Sequence, residues 1–304
     1  MAGSFAAVIP YNFYKYMTVR AALARIFPPG ELNFLLTNRV PRQLVTRFMG
    51  WFSRIEQPLL ARAGIAIWRM FADLDLSDSK TKHFDSLHAC FTRELNAGAR
   101  PVDPDPRVLI SPCDAIVGAS GHIHGDELIQ AKGFPYSLQD LLLDPVMVDL
   151  YRDGQYVTLR LTSSMYHRFH APYDCLVEKV TYIAGDTWNV NPAALARIAK
   201  LFCRNERAII RTVLRPSGHV VTLVPVAAVL VASIRLHFLD VLLSRQYRGE
   251  SEIPCRASFN KGEEMGWFEH GSTIIIFAPG AFMLCEGIAQ GATIRMGRPL
   301  MRLP

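Results

Sequence analysis

From residue 108 to residue 277 the chain is punctuated at close intervals. Short β-branched or apolar runs alternate with Gly, Pro, Asn and Asp, with a turn signal about every ten residues. The runs at 115–119, 156–161, 177–183, 208–214, 220–224, 229–234 and 273–277 have the length and composition of strands. Turn signals at that spacing predict a mainly antiparallel β core. Two segments break the pattern, and 137–143 and 192–201 read as helices inserted into that core. The longest apolar stretch, 220–234, is about fifteen residues, against the ~20 a membrane-crossing helix needs. It contains Pro225 and is rich in valine, so it reads as buried strands.

The first 72 residues are written differently. They hold nine Lys/Arg against Glu31 and Glu56, whereas the rest of the chain, with 24 basic and 25 acidic residues, is close to neutral. They also hold twelve of the 31 aromatic residues, among them Tyr11, Phe13, Tyr14, Tyr16, Trp51, Phe52 and Trp68. Basic and aromatic residues in a helical pattern suit either a nucleic acid or an anionic membrane surface. The spacing of Leu44, Phe48, Trp51, Ile55 and Leu59 is that of an amphipathic helix and favours the membrane, with Pro58 starting a second helix. The expected partners therefore include a membrane and no nucleic acid. Residues 73–106 read as a charged connector with one helix over 84–95, stopped by the prolines at 101, 104 and 106. The expectation is an α+β fold: an N-terminal amphipathic helical region over 1–72, the connector, then a mainly antiparallel β core with inserted helices over 107–304.

Composition narrows the class. At 304 residues and 50% hydrophobic, the chain supports one large domain or two modest ones. Six scattered cysteines without a Cys-x-x-Cys pair favour reduced thiols over a disulfide framework or a structural zinc site. A secretory signal is not expected at the N-terminus.

Three separated segments carry chemistry. Asp114 stands at a turn entering a strand. His167 and His170 lie in Tyr166-His-Arg-Phe-His-Ala-Pro, just after Ser163-Ser164. Ser272 follows Gly271 and heads the apolar run 273–277. A serine, a histidine and an aspartate on different elements suit a nucleophile, a base and an orienter. A serine hydroxyl next to a glycine carbonyl can attack the preceding peptide carbon, and glycine permits the close approach. Each residue also has a plainer role open to it: Asp114 as a turn cap, one histidine as a hydrogen-bonded core residue, Gly271-Ser272 as the end of a hairpin. The His-x-x-His pair has no third ligand at telling spacing, so no metal is expected. His122 and His124 lie in a turn and receive no role. No Walker A loop, Gly-x-Gly-x-x-Gly or Gly-x-Ser-x-Gly elbow occurs, which weakens a serine-hydrolase reading of Ser272.

A series of stretches, in order, carries a family resemblance: Phe91-Thr-Arg-Glu-Leu, Arg100-Pro-Val-Asp, Pro112-Cys-Asp-Ala-Ile-Val-Gly, Gln130-Ala-Lys-Gly with Tyr136-Ser-Leu, Tyr166-His-Arg-Phe-His-Ala-Pro, Asn189-Val-Asn, Asn205-Glu-Arg, Lys261-Gly-Glu-Glu-Met-Gly and Gly271-Ser-Thr. Together they make the chain resemble the bacterial, membrane-associated phosphatidylserine decarboxylase proenzymes, a pyruvoyl-dependent family. The resemblance implies that Ser272 attacks Gly271 and that β-elimination frees a large fragment, 1–271. The small fragment, 272–304, then begins with a covalent pyruvoyl group, which forms a Schiff base with the serine headgroup amine and serves as the electron sink for decarboxylation. It implies that His170 is the base of self-cleavage and Asp114 its orienter, while His167 is expected to assist decarboxylation. It further implies phosphatidylserine in an anionic membrane as substrate, a homodimer of two-fragment protomers, and a peripheral place on the cytoplasmic side of the cell (inner) membrane. Two residues depart from the family pattern: His270 replaces the usual leucine and Ala115 the usual glycine. Rival readings are a decarboxylase of another serine-headed lipid and a non-catalytic membrane-binding relative.

Overall fold

A computed structural model describes residues 42–131, 134–229, 233–269 and 272–304. Two helices lead, α1 (Arg42–Ser53) and α2 (Pro58–Phe71). Pro58 occupies the first turn of α2, where a missing N–H removes no helical hydrogen bond. The apolar stripe expected here is present and faces outward: Leu44, Phe48, Trp51, Leu59, Ile67 and Phe71 are all exposed. Ala61 and Ile65 are the buried residues of α2, and Ile65 joins Leu74, Leu76, Phe84 and Cys90 in a small cluster. Residues 1–41 of the expected helical region lie outside the described residues.

The helix expected over 84–95 is shorter, α3 (Leu87–Phe91). Ser86 Oγ caps it by accepting from Ala89 N at 3.1 Å. The Thr92 hydroxyl donates to His88 O at 2.9 Å at the other end. Chain beyond Thr92 runs on to an antiparallel bridge between Ser79 and Leu95. Side chains that bond their own backbone set both ends, which apolar spacing does not record.

The rest is mainly antiparallel β structure, as expected. In chain order the strands are β1 (Val108–Ile110), β2 (Ala115–His122), β3 (Glu127–Ala131), β4 (Phe134–Ser137), β5 (Gln155–Leu161), β6 (Arg168–His170), β7 (Cys175–Ile183), β8 (Arg207–Leu214), β9 (Val220–Ala227), β10 (Ser233–Leu236), β11 (Val241–Ser244), β12 (Glu252–Phe259), β13 (Glu264–Phe268), β14 (Ser272–Ala278), β15 (Met283–Leu284), β16 (Thr293–Ile294) and β17 (Pro299–Arg302). The largest sheet has eight strands in the order β12-β7-β8-β9-β14-β5-β2-β16. A second sheet runs β11-β10-β13-β6, and β1-β17-β15 and β3-β4 form smaller ones. The strand expected over 229–234 is not continuous. β9 ends at Ala227 in the large sheet, and β10 starts at Ser233 in the second. Residues 230–232 between them lie outside the described residues.

Every residue of β14 is buried, and the strand splits its side chains between two cores by the period-two rule. Ile274, Ile276 and Ala278 enter the core shared with the second sheet through Phe169, Ile234, Met265 and Phe268. Ile275 and Phe277 enter the other core, with Tyr136, Tyr151, Val224 and Phe202. A strand covered on both faces needs apolar residues in succession, and this explains the uninterrupted run at 274–277. Short helices cover the second face: α4 (Leu138–Leu142), α5 (Pro145–Tyr151), α6 (Pro192–Leu195) and α7 (Leu201–Arg204). The helix expected over 192–201 is thus two single turns, with Lys200 in the left-handed region, at φ 54°, where the second begins.

Candidate active site

Ser272 opens β14 at one end of the large sheet. Its Cα partners are Leu161 of β5 and Ala227 of β9, and the register of β2 on β5 carries the same row to Ala115. The residue before Ala115 is Asp114, and the chain after Leu161 leads to Tyr166, His167 and His170. Strand pairing therefore puts Asp114 and Ser272 at the same end of the large sheet, and the histidine segment, whose β6 belongs to the second sheet, is tied there by His170 N donating to Pro112 O at 2.9 Å. Ala115 is buried and sits within β2. An extended strand conformation is open to any residue, so alanine is accommodated where glycine was expected.

The Ser272 side chain is fully buried, and its Oγ has no hydrogen-bond partner among the described residues. A hydroxyl in that position costs free energy of about 1–3 kcal/mol. The described residues do not include Gly271 or His270, on the other side of the bond in question.

His170 is buried and held at both ring nitrogens. Nδ1 lies 2.9 Å from the Gly262 carbonyl, and Nε2 lies 3.0 Å from the Tyr166 hydroxyl. A carbonyl only accepts, so Nδ1 carries the proton and Nε2 receives the Tyr166 O–H. Burial drives the pKa of His170 down to about 4, against the opposing pull of the Gly262 carbonyl and the Asp114 charge. At neutral pH the ring is an uncharged base with its lone pair on Nε2. Burial likewise pushes the Tyr166 phenol well above its ordinary value, so that hydroxyl stays protonated. Gly262 has φ of +84°, and a Cβ there would stand 2.5 Å from Val102 Cγ2. Both facts call for glycine in the Lys261-Gly-Glu-Glu segment, and the carbonyl on His170 depends on that turn.

Asp114 is bonded elsewhere. Arg100 Nε donates to Oδ1 at 2.8 Å and Nη2 to Oδ2 at 2.6 Å, while the Met296 N–H donates to Oδ1 at 2.9 Å. Arg100 also binds Asp78 at 2.9 Å. A fork of this kind fixes the carboxylate in place. Asp114 acts on His170 through space, as one of the charges that raise the imidazole's basicity. The hydrogen bond that orients the ring comes from Gly262.

His167 is wholly buried, with Nδ1 at 2.9 Å from the Met165 carbonyl. Its ring lies against Phe91, centroids 3.9 Å apart, and Phe91 stacks at 5.8 Å on Trp68 of α2. Arg168 donates to Thr92 O at 2.9 Å and to Glu264 at 2.8 Å. The Phe91-Thr-Arg-Glu-Leu motif is therefore a buttress for the histidine segment. A second link joins the helices to the strand end before residue 271. Arg54 binds the buried Glu269 at 2.5 Å, and Ser233 Oγ donates to the same carboxylate at 2.6 Å. Beside this link is a cleft of about 770 Å³ lined by Trp51, Arg54, Thr187, Ser233, Arg245 and Glu269 among others.

Sequence reasoning named Asp114, His167, His170 and Ser272 and gave no role to Arg100, Tyr166, Gly262 or Glu269. The first three of these lie in motifs already singled out. Glu269 carried one legible signal: an acid two residues from the Gly-Ser pair, in an otherwise apolar strand end.

The chain matches the family model described as phosphatidylserine decarboxylase over residues 87–302. Relatives named phosphatidylserine decarboxylase proenzyme include one from Halorhodospira halophila, 38% identical over 272 residues, which are 87% of this chain and 91% of that protein. Others come from Vibrio cholerae, 34% identical over 86% of this chain and 94% of the relative, and from Citrobacter koseri, 32% identical over 86% and 84%. The model match begins at α3 and ends within β17, and so takes in Asp114, the histidine segment and Ser272. Identity at this level, over nearly the whole of each relative, places the chain in the phosphatidylserine decarboxylase family.

Proposed function

We propose that this chain decarboxylates phosphatidylserine to phosphatidylethanolamine and carbon dioxide, after cutting itself between Gly271 and Ser272. Family membership supports the reaction. The observation that carries the cleavage is the buried Ser272 hydroxyl, which bonds to nothing among the described residues yet heads the central strand. A polar atom kept dry and unbonded at that cost is accounted for by its use in chemistry.

In the cleavage step Ser272 Oγ attacks the Gly271 carbonyl carbon, and its proton goes to a base. His170 Nε2 suits that role, being a neutral imidazole lone pair whose direction is set by the Gly262 carbonyl on the opposite nitrogen. Tyr166 hydrogen-bonds the same nitrogen and can pass the proton. Asp114, fixed by Arg100, stabilises the imidazolium that forms. A covalent pyruvoyl group derived from Ser272 fits the same place, because a chain end formed there is enclosed by core residues and shielded from water. When present, that group supplies the electron sink that decarboxylation next to an amine requires. His167, dry and braced by Phe91, assists this second half of the chemistry.

The proposed organisation is a membrane-associating region over 1–72, a connector over 73–106 and a catalytic core over 107–304, cut into fragments 1–271 and 272–304. The exposed side chains of α1 and α2, with Arg47, Arg54 and Arg62 nearby, suit insertion of an apolar stripe below anionic headgroups. No helix among the described residues is long and apolar enough to cross a membrane. A peripheral position on the cytoplasmic face of the inner membrane, as a dimer of two-fragment protomers, completes the proposal.

Intact mass spectrometry tests it. The wild-type protein should give two fragments meeting at 271/272, with a carbonyl on the smaller one that borohydride reduces. Ser272→Ala should stay a single 34.1 kDa chain with no release of carbon dioxide from phosphatidylserine. An uncut wild-type chain would end the proposal.

A further inference from the structure

The cleft beside Glu269 holds more positive charge than the fold uses. Arg47, Arg54, Arg245 and Arg248 line it, with Glu269 as the acid among its lining residues. Arg54 already binds that acid at 2.5 Å. Among the described residues no ion pair joins Arg47, Arg245 or Arg248 to a carboxylate. Arg248 is anchored by its own turn: its Nη1 donates to the carbonyls of Arg245 and Tyr247 at 2.9 and 3.0 Å, and Tyr247 N donates to Ser244 O at 2.7 Å. The turn after β11 thus brings two guanidinium groups to the cleft. A hydroxyl joins them. Thr187 lines the same cleft and is 1% exposed, and its Oγ1 has no hydrogen-bond partner among the described residues. Buried hydroxyls are ordinarily bonded. Unpaired guanidinium groups beside an unused hydroxyl are the chemistry that holds a phosphate.

Two paths tie the cleft to Ser272. Glu269 lines it and stands three residues before Ser272, a stretch that spans at most about 11 Å. Thr187 is followed by Trp188, whose N–H and carbonyl are both bonded by Asn205 at 2.8 Å. Asn205 Nδ2 also donates to the carbonyl of Ala227, the strand partner of Ser272. The side of the sheet agrees. Ser233, Leu242 and Ser244 bring the second sheet to the cleft. That sheet packs into the core entered by Ile274, and Ser272, two residues earlier in the same strand, faces the same side. Helix α1 supplies another wall. Arg47, Gly50 and Trp51 line the cleft at helical spacing, and Trp51 also belongs to the exposed stripe of Leu44 and Phe48. The cleft therefore joins the strand end that carries the reacting serine to the helix that suits a lipid.

We propose that this cleft is the phosphate subsite for the phospholipid substrate, with Arg245, Arg248, Arg47 and the Thr187 hydroxyl holding the phosphodiester while the headgroup amine reaches residue 272. This rests on the function proposed above. The phosphate of a serine phospholipid is separated from its amine by a short carbon link, so a subsite for the one has to adjoin the place where the other reacts. Guanidinium groups match phosphate oxygens in geometry and keep their charge at any working pH. At about 770 Å³ the cleft is the size of ordinary small-ligand sites and can take a headgroup with its glycerol link. Trp51 and Ile55 lead from the cleft along α1, the direction in which acyl chains can stay in the bilayer. Free inorganic phosphate offers the same oxygens, and the test separates the two sources.

The test measures carbon dioxide release from phosphatidylserine in neutral detergent micelles, which removes most of the attraction to an anionic surface. It compares wild type, Arg245→Ala with Arg248→Ala, Thr187→Val and, as a control, Arg256→Ala, an exposed arginine of β12 outside the cleft. Each is first checked by mass for the 272–304 fragment and by borohydride for its carbonyl, and all should be processed. The double variant should keep kcat within about two-fold and raise KM at least ~10-fold, the pattern of lost ground-state binding. Thr187→Val should raise KM several-fold without lowering Tm, because it removes a buried hydroxyl that makes no bond among the described residues. Arg256→Ala should match wild type. Inorganic phosphate should inhibit wild type competitively and the double variant far less. An unchanged KM in the double variant overturns the proposal, even where phosphate inhibition is relieved, since that combination marks a site for the free anion only. An equal rise in KM for Arg256→Ala, or a fall in kcat without a rise in KM, overturns it as well. Should the double variant stay uncut, Thr187→Val decides, and an unchanged KM there is the adverse result. A wild-type protein that releases no carbon dioxide would instead sink the functional proposal beneath it.

Discussion

Strand β14 and helix α1 are both short apolar runs, and the molecule treats them in opposite ways. All seven residues of β14 are buried, shared between two cores. In α1, Leu44, Phe48 and Trp51 are 68%, 55% and 64% exposed. Apolar content alone does not separate them; periodicity does. Residues 274–277 are apolar without a break, as a strand covered on both faces requires. In α1 the apolar residues recur every three or four positions and leave a polar face carrying Arg47. The first arrangement makes a dry, rigid place for a reacting serine. The second makes a surface whose apolar side is exposed among the described residues and suits a lipid. Arg54, just after α1, binds Glu269, three residues before β14, and α2 reaches the histidine segment along Trp68–Phe91–His167, so the surface helices and the chemical segments are physically joined.

The sharpest way to break this contrast is to place the same charge in both. Ile275→Asp buries an unpaired carboxylate among Tyr151, Val224 and Phe277, at a cost of several kcal/mol. Thermal unfolding should show loss of the cooperative transition, or a fall in Tm of about 5 °C or more for about 3 kcal/mol or more. Next in size is Arg100→Ala, which removes the fork from Asp114 while the carboxylate stays buried. Breaking such a pair costs about 3–5 kcal/mol, and denaturant midpoints together with slower appearance of the 272–304 fragment would register it.

Acidification gives a smaller, graded effect. The folded protein holds His170 neutral down to about pH 4, whereas the unfolded chain takes up a proton near pH 6.5. The unfolded state therefore binds more protons in that window, and stability should decline by up to about 3 kcal/mol as pH falls from 6.5 to 4. Self-cleavage should be insensitive to His170 ionisation above about pH 5 and slow as pH drops through 4, which a time course of fragment formation would follow. The smallest change in stability is expected from Leu44→Asp, within ~0.5 kcal/mol for an exposed site. The same variant should sediment less with anionic vesicles. A large Tm loss with unchanged vesicle binding would mean that α1 packs on protein and not on lipid.

Much of the β core was legible because strands leave a local record. β2, β5, β7, β8, β9 and β14 each contain a predicted run, and Pro58 marks the start of α2 as expected. Helix ends were less legible. α3 is bounded by hydroxyls of Ser86 and Thr92 that bond their own backbone, and this overrides the apolar spacing that suggested a longer helix. The second sheet went unseen because its strands are short; β6 has three residues and β10 four, too few to display a period. At the site, residue types were legible and partnerships were not. Asp114 and His170 were expected to face one another, and the hydrogen bonds run instead to Arg100 and to Gly262, 14 and 92 positions away along the chain.

By itself the sequence determined most strands of the large sheet, where the second basic aromatic helix begins, and which residue types are present to react. Those properties depend on neighbours a few positions apart, so the linear order of side chains contains them. Tertiary structure alone decided the row joining Ala115, Leu161 and Ser272, the tautomer of His170, and the fork that binds Asp114. Each depends on strand register or on a contact between distant segments, and register is set by the fit of two whole faces against their cores, which no local stretch encodes.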